Sequence, residues 1–142
     1  MSAGSLRLAG MLALFVAFVT PALADEFRPA YLQLKQLDAT TYDVLWRVPA
    51  LDANTTLRLQ PVFPPDTQDL RERTSSYAGN AAVQRWRIRV EGGLAGRAVE
   101  FPQLPGSRVD VLVRVERADG TEQLGRVLPV DPRFTVTSSP GR

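Results

Sequence analysis

The sequence predicts an all-β domain built from antiparallel strands in two packed sheets. Three observations predict it. Apolar and polar residues alternate at period two through successive segments, as in "YDVLWRV" (42–48) and "RVDVLVRVE" (108–116). Turn-forming residues interrupt these segments at short, regular intervals. Asp119-Gly120 stands between two of them, and a two-residue hairpin turn needs the positive φ that glycine and aspartate tolerate.

Taken in order, "AYLQLKQL" (30–37) directs Leu32 and Leu34 inward and Gln33 and Lys35 outward. "DATT" turns the chain into "YDVLWRV", where Tyr42, Val44, Trp46 and Val48 share one face and Asp43 and Arg47 the other. "TLRLQ" (56–60) is expected as a strand with Leu57 and Leu59 inward, ended by Pro61, which has no N–H for a ladder. The stretch 64–80 has no sustained period and reads as the longest loop, with a short helical turn at "TQDLRER". "AVQRWRIRV" (82–90) is the next strand, and three glycines in "EGGLAG" break it. "RAVEF" (97–101) and "RVDVLVRVE" follow, the latter with Val109, Val111, Val113 and Val115 on one face, and "QLGRVLPV" (123–130) returns after the hairpin. Seven to eight short strands of this kind suit an immunoglobulin-like sandwich over residues 25–136, with a small barrel as the alternative and a disordered tail at 137–142.

One segment raises a functional question. In "QRWRIRV" (84–90), Arg85, Arg87 and Arg89 fall on one face and Trp86 and Ile88 on the other. An antiparallel strand with one buried face leaves the arginines in water, where their stems also cover apolar surface. The competing reading is a row that grips an anionic partner. These three arginines are therefore the candidate partner-binding residues.

Residues 1–24 carry the three-part layout of a secretory signal peptide: Arg7, an apolar run from Leu8 to Val19, and Ala22-Leu23-Ala24 as a small-x-small cleavage site. The run is short of the roughly 20 residues a membrane anchor needs. Cleavage after Ala24 is expected to leave a soluble chain starting at Asp25, in the periplasm or secreted. The sequence has no cysteine, so this exported domain must hold itself together by its core. Without Arg7 the chain has 16 basic and 15 acidic residues (from totals of 17 and 15), a balance that gives no push towards nucleic acid.

The sequence contains neither histidine nor cysteine. Catalysis by a histidine acid or base, Ser-His-Asp and Cys-His centres, and zinc, copper or nickel sites of the usual ligand types are thereby excluded. Asp66, Asp69 and Glu72 are spaced for one side of a helical turn, but a calcium loop packs oxygen ligands more densely around a glycine, so a solvated acidic loop is the better reading. "GGLAG" lacks the lysine of a phosphate loop and reads as a turn. Trp46 and Trp86 fall on apolar faces and are expected in the core rather than on a sugar-stacking platform. No catalytic residue, metal ligand or cofactor is implied.

Three stretches, "ADEFRPAYLQLKQLDATTYDVLWRVPA" (24–50), "VQRWRIRVEGGLAGR" (83–97) and "DVLVRVERADG" (110–120), resemble the extracytoplasmic N-terminal region of HupE/UreJ-family bacterial membrane proteins. The similarity runs in the same order over most of residues 24–136. It implies a signal peptide, a β-rich domain outside the cytoplasm, and an inner-membrane protein of that family as partner. Some relatives are associated with nickel uptake. No family metal-binding residue has a matching position here, since the histidines are absent. The resulting expectation is an exported, non-catalytic accessory or interaction module; the alternative is a free-standing binding protein for an anionic polymer or carbohydrate.

Overall fold

The structure is a computed structural model that describes residues 29–49 and 58–140. The expected signal peptide (1–24) lies outside the described residues, as do the first two residues of the expected strand 56–60 and the last two residues of the tail. The fold is all-β, with nine strands among the described residues: β1 (Ala30–Gln36), β2 (Thr41–Pro49), β3 (Thr67–Asp69), β4 (Thr74–Ala78), β5 (Ala81–Val90), β6 (Ala98–Glu100), β7 (Val111–Glu116), β8 (Glu122–Val127) and β9 (Arg133–Thr135). Seven form one sheet in the order β3-β5-β2-β1-β7-β8, with β4 also paired to β5; β6 and β9 form a small second sheet.

This differs from two comparable antiparallel sheets in two ways. First, β1 and β7 run parallel, with Leu32 opposite Val113 and Leu34 opposite Val115. Parallel neighbours need a long crossover, and β2 through β6 supply one. Second, the large sheet is covered by a small sheet helped by irregular chain. Its inner face presents Leu32, Leu34, Trp46, Trp86, Ile88 and the valines of β7. The covering layer contributes Leu59, Leu94, Val99, Phe101, Leu104 and Phe134 to the same core. Only two of those six, Val99 and Phe134, stand on strands.

Buried polar atoms tie the two layers together. The Trp46 indole Nε1 donates to the Leu59 carbonyl at 3.0 Å, and its ring lies 5.7 Å from that of Phe101. Leu59 is thus buried as expected, yet Leu59 and Gln60 lie outside any strand. The Leu94 amide donates to the Tyr42 hydroxyl at 2.9 Å and pins the glycine-rich turn. Gly93 has φ +78°, and a Cβ there would stand 2.7 Å from the Ala39 carbonyl oxygen, so no other residue fits unstrained. At Gly125 a Cβ would meet the Phe134 ring at 2.4 Å; the missing side chain is what lets Phe134 pack on β8.

The stretch 64–80 is not a loop with a helical turn. β3 and β4 both pair with the same edge of β5, Asp69 opposite Ile88 and Thr74 opposite Arg85. Residues 70–73 therefore stand against 86 and 87, a bulge of two extra residues in a broken edge strand. Beyond β9 the chain is tied to the β7–β8 hairpin as far as Ser139. The Thr137 amide donates to Gln123 Oε1 at 2.8 Å, Arg117 donates to the Thr137 carbonyl and hydroxyl, and the Ser139 hydroxyl donates to Asp119.

Candidate functional site

The outer face of the large sheet is a grid that the pairing registers define. One cross-strand row reads Arg87, Asp43, Lys35, Glu116 and Glu122 from β5 to β8; the next reads Arg85, Leu45, Gln33, Arg114 and Leu124. Alternation put Arg85, Arg87 and Arg89 on this face, and there they are. The grid, however, gives each a different neighbour, so they are not three equivalent charges.

Arg87 faces Asp43 directly and grips it with both prongs, Nε to Oδ1 at 2.7 Å and Nη2 to Oδ2 at 3.2 Å. Those hydrogen bonds hold the Asp43 carboxyl below the usual carboxylate range despite partial burial, and the fields of Arg87, Arg71 and Lys35 add to the effect. Arg89 reaches Glu91 at 3.7 Å. Arg85 faces Leu45 and makes no ion pair with any described residue.

A hollow of about 500 Å³ opens on this face beside Arg85. Gln33, Lys35, Asp43 and Leu45 line it from β1 and β2, and Arg71, Glu72 and Thr74 close it at the bulged edge. The bulge sorts its two arginines to different tasks. Arg73 lays its guanidinium 4.0 Å over the Trp86 ring and donates to Gln60 Oε1 at 2.9 Å, while Arg71 lines the hollow. Trp86 is buried, its ring also 6.3 Å from that of Phe63 and nearly perpendicular to it, so both tryptophans belong to the core as expected.

Elsewhere four arginines are ion-paired: Arg97 with Asp66, Arg114 with Glu122 and Glu116, Arg126 with Asp110, Arg133 with Glu100. Asp66, expected in a solvated acidic cluster, is thus an ion-pair partner, and Asp69 stands on β3. At the far end of the outer face, Leu112, Leu124 and Leu128 are exposed, Leu124 by 74%.

Lys35 and Arg71 join the site without having been singled out as binding residues. Alternation alone puts Lys35 on the outer face. Nothing in an aperiodic stretch signals that Arg71 reaches back over the sheet. Among the described residues no group of three or more acidic side chains is placed to hold a metal, and no helix is long and apolar enough to cross a membrane. No protein-family model matches the chain, and no curated protein matches it.

Proposed function

We propose that the mature chain is an exported, non-catalytic interaction module that docks on an inner-membrane protein of the HupE/UreJ type through the outer face of its large sheet. The observation that carries this reading is the openness of that face. From Arg85 on β5 to Leu124 on β8, it presents a cationic hollow at one end and exposed leucines at the other. Charged residues beside exposed apolar ones are a composition suited to a partner interface, with apolar contact for affinity and charge for register. The resemblance supports the choice of partner: its three stretches supply β1, β2, β5 and β7, which are adjacent in the sheet.

Photo-crosslinking in the native envelope tests the proposal. A crosslinker placed at Leu124 is expected to capture an inner-membrane protein, and one at Val62, away from this face, is expected not to. Folded protein that crosslinks from Val62 and not from Leu124 would overturn the assignment of the face. The alternative, a free-standing binder of an anionic polymer or carbohydrate, is favoured by the hollow alone. It predicts that Leu124 captures no protein at all.

A further inference from the structure

We propose that the hollow bounded by β1, β2, β5 and the β3–β4 bulge is a binding site for a ligand bearing two or more carboxylates, a proposal that rests on the outer face being the binding face. Lys35, Arg71 and Arg85 all line it. None of the three forms an ion pair or a side-chain hydrogen bond with a described residue, whereas six other arginines of the domain have carboxylate partners. Other arginines also lack a carboxylate partner, but the hollow is where three such cations line one concavity.

Of the two acidic residues in the lining, Asp43 is neutralised by the two-pronged contact with Arg87. That leaves Glu72 alone against three cations. Like charges gathered around one concavity repel each other and raise the local positive potential, which a bound anion relieves.

The chemistry of the lining selects the ligand class. Arg71 and Arg85 arise on different stretches of chain, so each can present its planar fork to a separate carboxylate. Lys35, on β1, adds a point charge. Leu45, half-buried on β2, offers apolar contact to the methylenes that separate the two acids. The Gln33 side-chain carbonyl accepts from the Tyr31 hydroxyl at 2.9 Å, which leaves its amide hydrogens for the ligand. A volume of about 500 Å³ is within the range of small-ligand sites. Both a small free polycarboxylate and a run of acidic side chains on a peptide have this chemistry.

Citrate, hexaglutamate and hexaglutamine, each titrated into the mature protein and followed by backbone amide NMR shifts and calorimetry, test the site. Citrate or hexaglutamate is expected to move the amides of residues 33–35, 43–45 and 71–74, with affinity falling as salt rises. Binding of citrate alone identifies the small-molecule source, and binding of hexaglutamate alone the peptide source. The double substitution Arg71→Gln/Arg85→Gln is expected to weaken binding about tenfold or more, as loss of two charge-assisted contacts requires. Arg89→Gln, in the same stripe but outside the hollow, is expected to leave binding unchanged. Absence of shifts with both anions, equal shifts with hexaglutamine, or equal loss in Arg89→Gln overturns the proposal. Thermal unfolding of each variant separates lost binding from lost folding. The outcome is independent of the crosslinking at Leu124, since an empty hollow with a captured partner rejects the carboxylate site alone. A filled hollow with no captured partner rejects the membrane partner alone.

Discussion

Asp43 and Arg87 decide how the arginine stripe behaves. With both guanidinium prongs committed, Arg87 contributes register across β2 and β5 rather than free charge. Replacing Arg85, Arg87 and Arg89 together with glutamine is expected to leave the fold intact, because exposed ion pairs contribute roughly 0–1 kcal/mol each. Urea titration checks this, and a loss of several kcal/mol would show the stems to be covering apolar surface. The tryptophans are the opposite case. Trp46→Ala and Trp86→Ala are each expected to cost about 3–5 kcal/mol, the range for truncating a large buried aromatic. Trp46→Ala also strands the Leu59 carbonyl. Gly93→Ala is expected to cost about 1–3 kcal/mol because alanine at a φ of +78° is strained and its Cβ meets the Ala39 carbonyl. Thermal unfolding reads it, and a neutral result would mean that the turn can relax. Residue-level facing was legible: alternation put Trp46, Trp86 and the three arginines on their correct sides. The partner of Arg87 was not, because Asp43 comes from a strand 44 residues away in the chain.

At the scale of elements, the β7–β8 hairpin and the tail behave as one unit through Asp119. Hydrogen bonds from the Ser139 hydroxyl, the Thr121 hydroxyl and the Thr121 amide hold its carboxyl at about 2, below the ordinary 3.8. A carboxyl depressed in the folded state stabilises that state above its unfolded value and stops doing so as pH falls through the folded one. The tail is therefore expected to stay docked at neutral pH and to release between about pH 4 and pH 2. An NMR titration of Asp119 with amide exchange at Thr121 checks this; a carboxyl that titrates near its ordinary value, with the tail unmoved, would sink it. Asp119→Asn is expected to remove the step. The hairpin was legible from Asp119-Gly120, but its two-residue turn was not realised: the Arg117 amide donates to the Thr121 carbonyl across Ala118, Asp119 and Gly120, and only the glycine takes a positive φ, +89°. β3 and β4 were not. Short, polar and interrupted, "TQD" and "TSSYA" have little strand preference of their own and are strands because β5 offers an unpaired edge.

For the whole molecule, two outcomes follow from composition. Export is expected to remove residues 1–24, so the intact mass of the exported protein should correspond to a chain starting at Asp25; membrane-bound protein retaining Met1 would contradict it. With neither cysteine nor histidine, the mature domain is expected to unfold at the same temperature with and without a strong chelator, and a large drop would point to carboxylates holding a metal. The all-β class and the identity of most core residues followed from the sequence alone, because period-two alternation is a local property that each strand carries in itself. Tertiary structure alone decided the parallel contact of β1 with β7, the unequal division into seven strands and two, and the meeting of Lys35, Arg71 and Arg85. Those depend on which distant segments lie side by side, and pairing across tens of residues is set by the closing of one shared core, which no single stretch of chain encodes.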